Sequence, residues 1–144
     1  MYVEAILAGK GTEVVTVEPE ATVQEAVAVL RERGVGALVV SRDGRSIDGI
    51  LSERDVVRRL AEHGGAVLGM TVGEVMTSEV TTCGLKDTIE QLMWLMTERR
   101  IRHVPVVDGG ALRGIVSIGD VVKNRLGHLE SENQALQDYI THGR

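Results

Sequence analysis

The sequence predicts an α/β protein: two tandem β-α-β-β-α repeats related by a pseudo-twofold, with a C-terminal helix. Three observations predict it. GILSERDVV at 49–57 returns as GIVSIGDVV at 114–122, with six of nine positions identical. Apolar residues recur at helical spacing at matching places in both copies. Each such helix is followed by a short β-rich run and a turn that lead into the repeated phrase.

Taken in order, each copy begins with a short helix, where Val3, Ile6 and Leu7 are echoed by Val72, Val75 and Met76. A shift of 66 then places Thr16-Val17 on Thr82-Cys83, the expected first strand. Thr22-Val23 falls on Thr88-Ile89, each a helix start. The apolar stripe Val23, Ala26, Val27, Leu30 matches Ile89, Leu92, Met93, Met96. The β-rich runs are ALVVS at 37–41 and HVPVV at 103–107, followed by the turns RDGR at 42–45 and DGG at 108–110. One residue fewer in that loop changes the shift to 65, and the repeated phrase aligns. The phrase closes a strand and opens a helix. Residues 1–65 form the first repeat and 66–126 the second. At about 60 residues neither would bury enough surface alone, so the two are expected to pack face to face.

Residues 127–144 read as an amphipathic helix. Leu126, Leu129, Asn133, Leu136 and Ile140 are spaced 3, 4, 3, 4, the a/d seam of a coiled coil with Asn at an a position. Gly127 costs about 1 kcal/mol if a helix runs through it.

Composition excludes several function classes. There is no Phe, and Trp94, Tyr2 and Tyr139 are the only aromatic residues, so the core is Val, Leu, Ile, Met and Ala. A stacking platform for single-stranded nucleic acid needs aromatics. The net charge of −5 also opposes a nucleic-acid partner. No run approaches the roughly 20 apolar residues of a membrane span. The start, MYVEAILAGKG, lacks the basic and apolar regions of a secretory signal, so the cytoplasm is the expected address. Cys83 is alone, and the His residues at 63, 103, 128 and 142 have no metal-ligand spacing.

Ser52 and Ser117 stand where strand turns into helix, with Asp55 and Asp120 three positions on. A helix cap with an acid at N3 accounts for both pairs. The same turn presents free N–H groups and the positive end of a helix dipole, which suits a phosphate or a ribose. A carboxylate there can accept from both ribose hydroxyls.

The doubled Gly-Ile-apolar-Ser-x-x-Asp phrase, with VGEVMTSEV opening the second copy and RHVPVV inside it, resembles a tandem pair of CBS domains over residues 1–126. The resemblance implies adenosyl ligands (AMP, ADP, ATP or NAD(H), with S-adenosylmethionine ranked behind them) in two clefts between the repeats. Asp55 and Asp120 would hold ribose hydroxyls, and Ser52 and Ser117 would lie by the ribose or phosphate. Thr16, Thr82 and the backbone before Pro105 would meet the adenine edge. Because Pro removes a ladder donor, a neighbouring main-chain group is left free there.

The two clefts are not expected to be equal. Arg102, His103, Val104 and Pro105 in the second copy stand where the first has Gly36, Ala37, Leu38 and Val39. Arg102 and His103 are expected on phosphate, whereas Arg99 and Arg100 serve equally well as a solvated helix end. Arg54 would reach phosphates, and Gly119, its counterpart, would give room.

The expected function is a regulatory adenine-nucleotide sensor that acts on a protein target in another chain, usually as a homodimer. The alternative is a structural homodimerisation module with decayed sites. Catalysis is not expected: Asp120 with His103 is the only acid-base pair to name, and no nucleophile is arranged beside it.

Overall fold

The computed structural model describes residues 1–142; Gly143 and Arg144, the end of the expected tail helix, lie outside the described residues. The elements are α1 (Val3–Lys10), β1 (Thr16–Val17), α2 (Val23–Arg33), β2 (Ala37–Val40), β3 (Gly49–Ser52) and α3 (Glu53–His63). A 3-10 segment follows at Gly64–Gly69. The second half holds α4 (Val72–Val75), α5 (Ile89–Arg99), β4 (His103–Asp108), β5 (Ala111–Ser117) and α6 (Ile118–His142).

Local chemistry explains the helix starts. Thr22, Ser52, Thr71 and Thr88 each cap a helix through a reciprocal box with Glu25, Asp55, Glu74 and Gln91. On α2 the buried stripe is Val23, Ala26 and Leu30; on α5 it is Ile89, Leu92 and Met96. Val27 and Met93, at the edges of the expected stripes, are only partly covered.

In the first sheet β1 pairs with β2 in parallel and β2 with β3 antiparallel. The second sheet has β4 and β5 antiparallel. The strand expected at Thr82-Cys83 is reduced to one parallel bridge, Cys83 to Val106. Pro105 is the reason. It stands where the first repeat has Val39, whose N–H donates to the Val15 carbonyl at 3.2 Å, and proline has no N–H to give.

Two cores form, and they do not follow chain order. Val3, Ile6 and Leu7 of α1 pack with Cys83, Ile89, Leu92, Met96, Val104, Val106, Val116 and Val121 of the second repeat. Conversely, Val72 and Val75 of α4 pack with Val23, Leu38, Val40 and Leu51 of the first. Each repeat is completed by the short helix that precedes the other. The repeated glycine now has a physical reason. A Cβ on Gly114 would lie 2.8 Å from Leu7 Cδ2, and one on Gly49 would lie 2.9 Å from the Thr77 carbonyl oxygen. Both glycines sit where a partnered helix or its continuation crosses the strand.

Burial pushes the Cys83 thiol up to about 12, with the nearby Asp87 carboxylate adding to it. Iodoacetamide at neutral pH is therefore expected to leave Cys83 unmodified in the native protein and to label it in denaturant, a difference mass spectrometry reads directly.

The last helix of the second repeat and the tail are one continuous rod, α6. Val121 anchors its first turns in the core, and residues 125–142 are exposed. Gly127 is passed without a break, between stretches of good helix formers. Among the described residues no helix is long and apolar enough to cross a membrane.

Candidate functional site

The repeated phrase builds two strand-to-helix turns. At the first, the Ser52 hydroxyl accepts from the Asp55 N–H at 3.3 Å. Asp55 Oδ2 accepts from the Ser52 N–H at 2.9 Å and from its hydroxyl at 3.1 Å. The other carboxylate oxygen, Oδ1, accepts from the Thr77 hydroxyl at 3.2 Å. Thr77 comes from the segment just after α4, so the exchanged helix delivers it.

At the second turn the cap is the same: Ser117 N–H to Asp120 Oδ2 at 2.8 Å, and Asp120 N–H to Ser117 Oγ at 3.1 Å. The added partner differs. Lys10, the last residue of α1, donates to Asp120 Oδ2 at 2.7 Å and to the Ile115 carbonyl at 2.9 Å. Burial pushes the Asp120 carboxyl up, but the Lys10 ammonium and the Ser117 donors outweigh it and hold the group below its ordinary value. The same carboxylate position thus meets a neutral hydroxyl in one repeat and a cation in the other.

A cavity of about 610 Å³ opens beside the first turn, within the usual range of about 300–1,000 Å³ for small-molecule sites. Gly36, Ser52, Arg54, Asp55 and Arg58 supply its first-repeat wall, and Arg99, Arg100, Arg102 and His103 its second-repeat wall. Thr77, Glu79, Val80 and Thr81 close it from the connecting segment. Five arginines face three carboxylates there (Glu53, Asp55 and Glu79), so the cavity favours an anionic guest.

Two details shape the walls. The His103 ring occupies the space beside Gly36, where an added Cβ would lie 3.1 Å from Cε1. Burial pulls the His103 imidazole below its ordinary pKa, against the opposing pull of Glu53 and Asp120, so the site disfavours the charged ring. Secondly, Thr81 aligns with Val15. Among the described residues no N–H donates to the Thr81 carbonyl, because Pro105 has none to offer. The main-chain acceptor freed by Pro105 is thus at Thr81, on the cavity wall. The Pro105 carbonyl itself accepts from the Cys83 N–H at 3.0 Å.

The structure therefore brings together Gly36, Ser52, Arg54, Asp55, Arg102 and His103. Thr16 lies in β1 opposite Val39, outside the cavity wall. Ala37, Val104 and Pro105 are buried in β2 and β4, and Thr82 is exposed. Ser117 and Asp120 stand at the second turn, and Gly119 lies in a shallow groove along α6. Sequence reasoning missed Arg58, Thr77, Glu79, Val80 and Thr81. Arg58 was readable, since it follows Arg54 by four residues and so shares its helix face. Nothing in the sequence marks Thr77, which depends on the exchange of helices.

The CBS domain family model matches residues 10–62 and 72–127. The chain belongs to the CBS-domain family. It is similar to the CBS domain-containing protein YhcV of Bacillus subtilis, at 36% identity over 132 residues covering 91% of each chain. A mitochondrial CBS domain-containing protein of Arabidopsis thaliana is 38% identical over 126 residues, which is 85% of this chain and 61% of that protein. This chain therefore spans about three-fifths of the Arabidopsis relative. The crystal structure of a CBS-domain containing protein from Agrobacterium tumefaciens superposes with a TM-score of 0.84 at 44% identity, covering 87% of this chain and 99% of that one. CBS pairs are in general regulatory, ligand-binding modules rather than catalysts.

One wall residue of this CBS pair is strained. Arg100 caps α5 with φ 55°, the left-handed region, and is the only non-glycine with positive φ among the described residues. The first repeat has Gly34 at the same place, with φ 63°. An L-residue there costs about 1–2 kcal/mol, so strain sits at the cavity. Arg100→Gly is expected to stabilise the protein by about 0.5–1 kcal/mol after the greater freedom of an unfolded glycine is subtracted. That corresponds to a Tm about 2–4 °C higher by calorimetry, with weaker anion binding.

Proposed function

We propose that this CBS pair is a ligand-sensing regulatory module, working in the cytoplasm as a homodimer. It takes an adenosine nucleotide bearing more than one phosphate (ADP, ATP or NAD(H)) into the cavity beside Asp55. The observation that carries the reading is the composition of that single cavity. The Asp55 carboxylate, a Thr81 carbonyl that accepts no N–H among the described residues, and five arginines from both repeats converge on it. Asp55 accepts from the ribose hydroxyls. The Thr81 carbonyl accepts from the adenine amino group, and Arg54, Arg58, Arg99, Arg100 and Arg102 meet the phosphates. S-adenosylmethionine, a sulfonium cation, ranks behind them because arginines repel it.

Signalling follows from where the walls come from. A nucleotide that bridges α3 and the start of β4 changes how the repeats sit against each other and biases whichever arrangement it binds more tightly. The target is a separate protein chain. The alternative, a structural homodimerisation module with decayed sites, gains from one observation: Lys10 already holds Asp120 at the second cleft.

The test is a thermal-shift panel with AMP, ADP, ATP, NAD, NADH, S-adenosylmethionine and GMP. A ligand at 100 times its Kd adds about 2.7 kcal/mol. Stabilisation by ATP and ADP above AMP, with little from GMP or S-adenosylmethionine, is the expected ranking. A flat response across the panel would leave the structural-module reading in its place.

A further inference from the structure

The exposed face of α6 carries an apolar stripe at heptad spacing. Leu126, Leu129, Leu136 and Ile140 are 45–68% exposed in the monomer, and Val122, one heptad earlier at a d position, is 48% exposed. A helix that keeps this much apolar surface in one stripe lacks a partner. We propose that the partner is a second copy of this chain, whose α6 runs parallel and in register, so that second repeat stands beside second repeat. This goes beyond the homodimer of the functional reading by naming the surface and the orientation, and it does not depend on which ligand binds.

Asn133 decides the direction. In a parallel pair an a position meets the same a position, so Asn133 faces Asn133 of the other copy and both amides are hydrogen-bonded. In an antiparallel pair an a position meets a d position. Asn133 would then face a leucine and lose its partner, at the cost of a desolvated amide.

Charge agrees. In a parallel dimer the g position of one helix faces the e position of the next heptad across the seam. Arg125 at g therefore meets Glu130 at e, twice by symmetry, and Glu132 meets the neutral Gln137. Arg125 is available for this: among the described residues its one ion pair is with Glu90, at 3.9 Å and exposed. An antiparallel pair that places Leu126 against Leu136 would bring Glu130 against Glu130 and Glu132 against Glu132. Because α6 starts inside the second repeat at Ile118, a parallel seam leaves the two second repeats adjacent.

The experiment combines analytical ultracentrifugation with one engineered thiol. Ile140→Cys is expected to form a disulfide-linked dimer on mild oxidation, because the two thiols meet across a parallel seam. Cys83 is buried and does not compete. Glu130→Arg is expected to weaken the dimer about tenfold by setting arginine against Arg125. The double variant Arg125→Glu/Glu130→Arg, which restores the pair with signs reversed, is expected to recover it. A wild-type chain that stays monomeric at high micromolar concentration overturns the proposal. So does a dimer in which Ile140→Cys remains unlinked, or one indifferent to Glu130→Arg, since each places the contact elsewhere or in the opposite sense.

Discussion

Asp55→Asn is expected to weaken nucleotide binding by about 10- to 100-fold, whereas Asp120→Asn is expected to leave nucleotide affinity within about twofold. The two acids occupy matching places in the repeated phrase, and the sequence, with Arg102, His103 and Pro105 in the second copy alone, favours the second cleft over the first. Their surroundings separate them. Asp55 lines the arginine-rich cavity, and its hydrogen-bond partners among the described residues are the neutral donors of Ser52 and Thr77. Asp120 is ion-paired with Lys10 at 2.7 Å and lies off the cavity wall. Hydrogen bonds from neutral donors to a charged acceptor contribute about 1.5–3 kcal/mol, so losing the charge at Asp55 is expected to weaken binding by about 10- to 100-fold. The serine cap is untouched, and an asparagine amide oxygen still accepts the N-cap N–H from N3, which keeps the fold and makes the titration interpretable. Calorimetric titration of both variants with ATP reads the result. Equal weakening would mean that both clefts fill and that Lys10 yields to ligand.

The same pairing sets an acid-side signature. The Asp120 carboxyl is held below its ordinary value in the fold, so its stabilising effect is complete above the unfolded pKa near 4 and fades as pH falls through the lowered native value. Asp120→Asn removes that fade.

Deleting residues 1–10 is expected to unfold the second repeat, at the far end of the chain, before the first. Val3, Ile6 and Leu7 are buried in the second core. At about 1.5–3 kcal/mol for each buried aliphatic side chain, the loss is about 5–9 kcal/mol, most of a typical domain's stability. Hydrogen exchange is the measurement. Amides of Val104, Val106, Val116 and Val121 should lose protection while those of Leu38, Val40 and Leu51 keep it. Protection lost first from 38–51 would contradict the exchange of helices. Leu7→Ala gives a graded version, about 2–5 kcal/mol.

Much of this was legible in the sequence because it is local. A capping box needs only residues three apart, and an amphipathic stripe only a period. The turns at Ser52 and Ser117, the stripes of α2 and α5 and the apolar stripe of α6 were readable for that reason. So was the family, since its signature phrase stands twice. The strand expected at Thr82 failed on a non-local fact: its partner carries Pro105 and cannot donate.

What the sequence by itself determined, then, is the duplication, the caps, the apolar faces and the matching acids of the two capping turns. The tertiary structure decided which core each short helix enters. Three apolar residues on a short helix carry no local signal of which repeat they enter, and both repeats have the glycine that the close approach needs. That choice carries Lys10 to Asp120 and Thr77 to Asp55. Two carboxylates written alike in the repeated phrase thereby come to differ, one paired with an internal cation and one on the wall of an arginine-lined cavity.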